Sequence, residues 1–237
     1  MEERSVASNP RGEVDMSLLI AVKSCNKHRV AGYNEVIRQT WGRDVKFPSN
    51  LFFFHGGIRL DNDVRLDEVF VGEPDNYDGL PKKTRAILRW FLRGPEPHIF
   101  LCDTDTYVIP SKLEKCGYEN YDIAGRYGTI WPIGTTKDIT DDRGVARRNV
   151  HPWPSGGVGY FLSRRAAQIV LDTPINTWAE DYHSGQATGP HIQSGELKAI
   201  DLPNFECEVS WHFPRRIYKQ VYDLKFNWQA KMYAEHR

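Results

Sequence analysis

The chain of 237 residues has the length of one large domain or two small ones. Apolar residues make up 40% of it and charged residues 26%, which allows a buried core and excludes disorder as its overall state. Lysine plus arginine and aspartate plus glutamate both number 31, so the formal net charge is zero. This balance argues against a general nucleic-acid binder, although it permits a local basic groove.

The sequence carries no targeting signal that we can identify. No stretch approaches the roughly 20 apolar residues that span a bilayer, and the polar residues 1–16 are expected to form a flexible lead-in rather than a signal peptide. Four scattered cysteines without Cys-x-x-Cys spacing favour free thiols, and no Asn-x-Ser/Thr site is present. These features predict a soluble, cytoplasmic protein; a Golgi lumen stays open if the chain is a piece of a membrane-anchored protein.

The first hundred residues alternate between predicted strands and predicted helices. Apolar runs typical of buried strands cover Ser17–Ser24, Leu51–His55 and His98–Asp103. Apolar spacings of three and four predict helices over Arg29–Trp41 and Leu80–Arg93, and Val64–Gly72 fits either a strand or a helical turn that leads into one. This alternation predicts an α/β fold with a mainly parallel sheet and with ligands at the carboxyl ends of its strands.

The second half of the chain is less regular. Few apolar residues and many turn formers predict a long loop over Gly128–Trp153, and such a loop in a compact domain is usually functional. A strand entered through glycines is predicted over Gly156–Ser163 and a helix over Arg164–Leu171, whereas Ala187–Ser194 has no clear pattern. The tail Ile217–Met232 is predicted to be partly helical.

The chain is predicted to form a single domain of two parts after the lead-in 1–16. No linker rich in Pro, Gly or Ser separates the halves. A nucleotide-type half is expected over about residues 17–105, and a smaller acceptor-type half over about residues 106–237.

The most informative motif is Asp103-Thr104-Asp105, directly after a predicted buried strand. Two carboxylates two residues apart can face one hard cation, and Mg²⁺ and Mn²⁺ prefer such oxygen ligands. An isolated Asp-x-Asp is more often a turn with hydrated acids. The apolar run before this motif and the Thr-Tyr-Val after it favour a metal site.

Two further segments carry candidate functional residues. Glu180 and Asp181 are adjacent acids at a predicted helix start, where they either serve the helix dipole or supply a general base. Gly156, Gly157 and Gly159 precede an apolar strand, where glycines permit close approach of a ligand or mark a bulge.

Other candidate sites are weaker or missing. His212 lies between apolar residues, where a histidine is more often part of the core than a ligand. The sequence has no Gly-x-Gly-x-x-Gly that opens a helix, no zinc spacing and no Gly-x-Ser-x-Gly elbow. A dinucleotide fingerprint, a zinc centre and a serine hydrolase are therefore not indicated.

In chain order, five segments resemble motifs of the β-1,3-glycosyltransferases of the galactosyltransferase and Fringe kind (glycosyltransferase family 31). The resemblance covers roughly residues 17–214, and five motifs in one order are more specific than any one alone. The segments are Val36-Ile37-Arg38-Gln39-Thr40-Trp41-Gly42, Leu80-Pro81-Lys82-Lys83-Thr84 leading to Trp90, Asp103-Thr104-Asp105-Thr106-Tyr107-Val108, Ser155-Gly156-Gly157-Val158-Gly159-Tyr160 and Glu180-Asp181-Tyr182-His183-Ser184-Gly185.

The resemblance implies a GT-A fold, in which a Rossmann-like nucleotide-binding half abuts a smaller acceptor-binding half. It also implies a nucleotide-sugar donor, most often a UDP-sugar, and a divalent metal, Mn²⁺ or Mg²⁺. The implied reaction moves the sugar to a hydroxyl of a glycan or glycoconjugate with inversion at the anomeric carbon. A metal can neutralise the diphosphate leaving group while a base takes the acceptor proton.

The matching motifs also imply roles for individual residues. Asp181 is the implied base, with Glu180 as the alternative. The implied metal ligands are Asp105, His212 and Asp103. The residues implied to contact the nucleotide-sugar are Ser24, Arg29, Arg38, Lys83, Asp103, Thr104 and Asp105, and those implied on the acceptor side are Trp153, Gly156 and Gly157. For Arg38, an ion pair that orients its helix is an equal alternative.

The sequence departs from the family pattern at Thr104, where the family has the middle of three acids, and it has no evident counterpart of the family's anchor and luminal cysteines. Three alternatives stay open. They are a GT-A-like protein that binds sugar nucleotides without turnover, a retaining GT-A enzyme, and a nucleotidyltransferase. The last would need a glycine-rich phosphate loop after the first strand, and Lys23–Arg29 contains no glycine.

Overall fold

The computed structural model describes residues 17–59, 61–63, 65–128, 131–203, 205, 209–212, 229–230, 232–234 and 236, without the side chains at 211 and 212. The predicted lead-in 1–16 lies outside the described residues. Of the predicted tail helix Ile217–Met232, positions 229, 230 and 232 are described and are helical, and the rest lies outside.

The described residues form a mixed α/β structure. The strands are β1 (Leu18–Lys23), β2 (Asn50–His55), β3 (Glu68–Phe70), β4 (His98–Asp103), β5 (Thr106–Val108), β6 (Ile123–Gly125), β7 (Lys137–Thr140), β8 (Ala146–Val150), β9 (Tyr160–Ser163), β10 (Ala199–Asp201) and β11 (Ser210–His212). The helices are α1 (Asn26–Val30), α2 (Tyr33–Gln39), α3 (Leu80–Phe91), α4 (Pro110–Leu113), α5 (Arg164–Asp172) and α6 (Glu180–Gln193).

The central sheet is mainly parallel, which confirms the predicted α/β class. Among the described strands its order is β10-β6-β9-β4-β1-β2-β3. Strand β1 lies parallel to β2 and to β4, β2 lies parallel to β3, and β10 lies parallel to β6. Strand β9 is the exception, because it runs antiparallel to both β4 and β6. Strands from both predicted halves of the chain thus belong to one sheet.

Strand β1 is apolar throughout because both of its faces are covered, as is usual for central parallel strands. Successive side chains of a strand point to opposite faces. Leu18, Ile20 and Val22 accordingly join one buried cluster, and Leu19 and Ala21 join another. The second cluster also takes the apolar residues of α3 and α5. This packing holds the ends of β1 and β4 in fixed positions.

One predicted helix is divided in the structure, and one unassigned segment is helical. The predicted helix Arg29–Trp41 is two helices, α1 and α2, because Gly32 between them has a φ of 82°. Segment Ala187–Ser194, which had no assignment, is the last part of α6 up to Gln193. Its Gly189 and Pro190 are poor helix formers, and this hid the helix in the sequence.

The prediction that Gly128–Trp153 is a structureless loop is wrong. Residues 137–150 form an antiparallel hairpin of β7 and β8. Most of the side chains in both strands are exposed, so the hairpin lacks the alternation of apolar and polar residues by which half-buried strands are recognised.

The described cysteines Cys25, Cys102 and Cys116 are free thiols, as predicted. Within the residues that the structure describes, every helix is too short or too polar to cross a membrane.

Candidate functional site

A cleft of about 940 Å³ opens at the carboxyl ends of β1 and β4. In the register of these strands Lys23 lies beside Asp103, so the last residues of the two central strands meet there. The other walls of the cleft are formed by the segment after β1, the first turns of α3 and α6, the segment around Gly156 and the β7–β8 hairpin. The position agrees with the rule that parallel sheets bind ligands at the carboxyl ends of their strands.

Lys23 lies at the centre of a buried charged cluster in this cleft. Its ammonium donates a hydrogen bond to Glu180 Oε1 and lies 3.3 Å from Asp103 Oδ1. Burial alone would lower the pKa of Lys23, but the carboxylates of Asp103 and Glu180 raise it above its usual range. The side chain therefore stays charged and joins β1 to β4 and α6.

Glu180 is fully engaged within the protein. Besides the bond from Lys23, its Oε2 accepts hydrogen bonds from Tyr160 Oη at 2.8 Å and from Thr84 Oγ1 at 3.4 Å. The residue is 5% exposed. Because both carboxylate oxygens have protein donors, Glu180 acts as a structural link between β1, β9, α3 and α6.

Asp181, the next residue, is half-buried and lines the cleft. Its Oδ2 accepts a hydrogen bond from the Gly156 amide at 3.0 Å, and its Oδ1 accepts one from the Tyr182 amide at 2.7 Å. Burial, followed by the nearby charge of Glu180, raises the pKa of Asp181 above its usual range. A carboxylate with a raised pKa is suited to accept a proton near neutral pH.

Gly156 is required by the closeness of these acids. A Cβ at this position would lie 2.8 Å from Glu180 Oε1 and 3.1 Å from Asp181 Oδ2. The missing side chain thus allows its amide to approach the Asp181 carboxylate. The close approach of the two acids therefore explains why glycine occupies position 156, one of the glycines noted in the sequence.

Asp103 ends β4, Thr104 and Asp105 follow it, and all three line the cleft. The Asp103 amide donates to Thr106 Oγ1 at 3.1 Å, and that hydroxyl donates to the Gly157 carbonyl at 2.8 Å. Burial raises the pKa of Asp103; Lys23 lowers it, but the effect of burial and the neighbouring Asp105 prevails. The turn is therefore anchored to the glycine segment on the opposite wall.

The donors present fit a hard divalent cation in part. Among the described residues, no three His, Cys, Asp or Glu side chains converge on one point. Strand β11 pairs with β5 so that His212 lies opposite Thr106, next in sequence to Asp105, but the His212 side chain is outside the described atoms. The carboxylates of Asp103 and Asp105 could supply two oxygen ligands, and Mg²⁺ or Mn²⁺ commonly take the rest from water and substrate phosphates.

Ser24 and Lys83, which the resemblance implies as nucleotide-sugar contacts, line the same cleft. The Lys83 ammonium donates to the Ser24 carbonyl at 2.7 Å and to Asp75 Oδ1 at 2.9 Å. Asp75 also accepts the amides of Asn26 at 2.7 Å and Gly56 at 2.9 Å. Lys83 and Asp75 therefore fix the segments that follow β1 and β2.

Arg29 and Arg38, by contrast, are not among the described residues that line the cleft. Arg29 bonds Glu68 Oε2 at 2.6 Å, and Arg38 bonds Glu68 Oε1 at 2.8 Å and both oxygens of Asp67. Their contact with a nucleotide stays a prediction, and both arginines belong to an ion-pair cluster at the β3 edge of the sheet. For Arg38 this is the alternative that the sequence analysis kept open.

The acceptor-side candidates Trp153, Gly156 and Gly157 lie on the wall formed by the glycine segment. The Trp153 ring meets the Tyr182 ring edge to face, with centroids 5.1 Å apart. The hairpin adds residues 139–142 to this end of the cleft.

Sequence reasoning missed Lys23, Asp75, His28 and Tyr160 as parts of the site. A signal existed for Lys23, because it ends an apolar run as Asp103 does, and adjacent parallel strands place such ends together. No comparable pattern exists for Asp75, whose partners are backbone amides from two distant segments.

Comparisons with known proteins add little to this description. No family model matches the chain, and no curated protein matches it in sequence. One similar solved structure is the inositol-1-phosphate CTP transferase from T. maritima, with a TM-score of 0.46 and 13% identity over 92% of this chain and 96% of that chain. A likeness of this degree carries no argument about chemistry. The strand order itself defines a mixed α/β protein whose mainly parallel sheet is consistent with a Rossmann-like nucleotide-binding fold.

Proposed function

We propose that this protein is an inverting, metal-assisted glycosyltransferase of the GT-A type. It moves a sugar from a nucleotide-sugar, in the first place a UDP-sugar, to a hydroxyl of a glycan or glycoconjugate acceptor. Asp181 is the general base in this proposal. The support is the meeting of two acidic motifs, from β4 and from α6, in one cleft.

The observation that carries the proposal is the contrast between Asp181 and Glu180. Both carboxylates accept protein hydrogen bonds, but Glu180 is buried and is bonded to the Lys23 ammonium and the Tyr160 hydroxyl. Asp181 is only half-buried at the cleft wall, and its donors are backbone amides that orient it. An inverting displacement leaves the acceptor oxygen positively charged unless its proton departs. A carboxylate within hydrogen-bond reach removes that proton, which is typically worth about 10²–10⁴ in rate.

The remaining residues divide along the cleft. Asp103 and Asp105 would hold Mn²⁺ or Mg²⁺, with His212 as a third ligand predicted from the sequence. Such an ion supplies electrostatic stabilisation of the departing diphosphate. Ser24, Lys83 and Thr104 border the donor, and Trp153, Gly156 and Gly157 border the acceptor.

Asp181→Asn is the decisive test because it keeps the shape and removes the basicity. We expect kcat to fall by at least about a hundredfold, while UDP binds in the presence of Mn²⁺ with wild-type affinity by calorimetry. Asp172→Asn, at the exposed end of α5, is the matched control and should turn over normally. Wild-type activity should fall as the pH is lowered through the raised pKa of Asp181, because the protonated base accepts no proton.

The outcomes separate the alternatives. Full activity in Asp181→Asn with loss in Glu180→Gln would move the base to Glu180, and full activity in both would rule out the inverting mechanism. A wild-type protein that binds UDP-sugars tightly but transfers nothing would be the inactive binding protein that Thr104 suggests.

Asp105→Ala tests the metal separately. We expect nearly all transfer to be lost with an unchanged thermal unfolding midpoint, because a half-buried carboxylate at a turn contributes little to the core. Normal turnover by this variant in the presence of a chelator would exclude the metal.

A further inference from the structure

Thr104, the residue that departs from the family pattern, forms a hydrogen bond with a specific side chain. Its hydroxyl lies 2.7 Å from His28 Nδ1, and the residue is 1% exposed. The Thr104 carbonyl accepts a hydrogen bond from Gln229 Nε2 at 2.9 Å. Both polar groups of Thr104 are therefore bonded, and the turn between Asp103 and Asp105 has a defined geometry.

A carboxylate at position 104 would be a third acid in this turn, and its burial would disfavour the charged form. A threonine avoids that cost and offers a hydroxyl that either donates to an imidazole nitrogen or accepts from it. The departure at Thr104 is thus matched by the histidine across from it.

His28 is held from a second direction as well. Its ring stacks on Tyr33, with centroids 4.6 Å apart and an angle of 17° between the planes. The stacking fixes the plane of the imidazole, and Thr104 fixes its rotation within that plane. His28 and its neighbours Cys25 and Lys27 line the cleft. A preorganised polar side chain in a cleft wall is the usual means by which a pocket selects its ligand.

The position of α1 indicates which part of the donor His28 meets. Arg29, the next residue, bonds Glu68 of β3, so α1 lies toward the β2–β3 side of the cleft. Asp181 is bonded to Gly156 just before β9, on the other side of β4. If Asp103 and Asp105 hold the diphosphate between these sides, the sugar lies toward Asp181 and the nucleoside toward α1.

We infer that His28, held by Thr104 and Tyr33, recognises the nucleoside of the sugar-nucleotide donor and is a specificity-determining residue. This inference rests on the proposed function, since it takes the ligand to be a nucleoside diphosphate sugar. It also gives Thr104 a role in an active enzyme.

Calorimetry on the full chain with Mn²⁺ tests the inference through binding alone. The probes are UDP, UMP and inorganic pyrophosphate. His28→Phe keeps a ring for the stack on Tyr33 and removes both nitrogens, and it should weaken UDP and UMP about tenfold while leaving pyrophosphate unchanged. His191→Phe, on the exposed end of α6, is the matched control and should bind all probes as the wild type does.

A double-mutant cycle tests the link between the two residues. Thr104→Val keeps the shape and removes the hydroxyl, so it should weaken UDP by a smaller factor than His28→Phe. The double variant should bind UDP no more weakly than His28→Phe alone, because Thr104 acts through the imidazole. Losses that multiply independently would contradict the positioning role of Thr104.

Two results would overturn the inference. Wild-type UDP affinity in His28→Phe removes His28 from the donor site. Equal weakening of UDP and pyrophosphate moves its contact from the nucleoside to the phosphates. Should the phenylalanine variant unfold at the assay temperature, His28→Gln provides the same comparison with a smaller side chain. Failure of the wild type itself to bind any of the three probes contradicts the proposed function instead.

Discussion

One buried charged cluster lies at the β3 edge of the sheet and another lies in the cleft at the carboxyl ends of β1 and β4, and they are built in opposite ways. At the β3 edge, one carboxylate, Glu68, lies between two guanidinium groups, those of Arg29 and Arg38. In the cleft, one ammonium, Lys23, lies between two carboxylates, those of Asp103 and Glu180. The edge cluster surrounds an anion with cations, and the cleft cluster surrounds a cation with anions.

The pKa shifts differ accordingly. Burial would raise the pKa of Glu68, but hydrogen bonds from Arg29, Arg38 and Asn34 lower it to about 2. Burial raises the pKa of Asp103 and of Asp181, and Lys23 does not offset this. The edge cluster is electrostatically complete, whereas the cleft cluster has carboxylates that a proton or a divalent cation would stabilise. We therefore expect a substitution in the first cluster to affect mainly stability and a substitution in the second to affect mainly turnover.

The largest expected effect is on stability, in Glu68→Gln. The change removes the buried carboxylate that Arg29 and Arg38 share and leaves them only more exposed carboxylates, such as those of Asp61 and Asp67. Since breaking a buried ion pair costs about 3–5 kcal/mol when no partner remains, we expect a loss toward the lower end of that range. Urea unfolding measures the loss. Glu35→Gln is the matched control, because Glu35 is an exposed partner of Arg38 and should cost less than about 1 kcal/mol. Equal costs for the two variants would mean that the cluster is not a buried one.

The next effect is on rate, in Glu180→Gln. The amide removes the charge that Lys23 faces and loosens the first turn of α6, so Asp181 is displaced from its productive position. We expect kcat to fall about ten- to a hundredfold, with UDP affinity unchanged. Steady-state kinetics and calorimetry together measure this. A loss in Glu68→Gln of the same size, at a temperature where that variant is folded, would remove the distinction between the clusters.

The same contrast shows what the sequence could predict. The buried strands, the acids after β4 and the acids that begin α6 were found because each lies next to an apolar run with a clear period. That neither Arg29 nor Arg38 lines the cleft was not predictable. Arg29 and Arg38 are directed to the β3 edge by Glu68, and the short strand that carries Glu68 was left without a definite assignment.

The hairpin escaped prediction for a different reason. Strands β7 and β8 pair mainly with each other, and their outward side chains leave no buried face in the pattern. Lys23 and Glu180 are 157 residues apart in the chain, and their contact depends on how α6 packs on the sheet. Contacts of this range are set by tertiary packing and leave no local signal.

A smaller effect concerns the pH dependence of stability at the edge cluster. Burial lowers the pKa of His55, beside Glu68, to about 4. In the unfolded chain His55 is protonated near pH 6.5, whereas in the folded chain it is protonated only near pH 4. The free energy of unfolding therefore falls as the pH drops through this window. The Glu68 carboxylate adds a second decrease in the free energy of unfolding, which begins near pH 4.3, where the unfolded chain's carboxylate is protonated, and continues toward pH 2. Urea unfolding at several pH values should show the first decline in the wild type and a shallower one in His55→Gln; identical slopes would contradict it.

The smallest expected effect lies outside both clusters, at Arg143 on the hairpin. Its guanidinium bonds Asp78 Oδ1 at 2.7 Å and lies 4.1 Å from the centre of the Trp178 ring, and both ionic partners are largely exposed. An exposed ion pair and an exposed cation–π contact are each worth about 1 kcal/mol or less. Arg143→Ala should therefore lower the global free energy of unfolding no more than Arg165→Ala, which removes an exposed pair on α5.

A two-stranded hairpin is only marginally stable by itself, so the local effect should be larger than the global one. Hydrogen exchange in residues 137–150 should become faster in Arg143→Ala and stay unchanged in Arg165→Ala. A global loss as large as that of Glu68→Gln would show that the hairpin is part of the folding core.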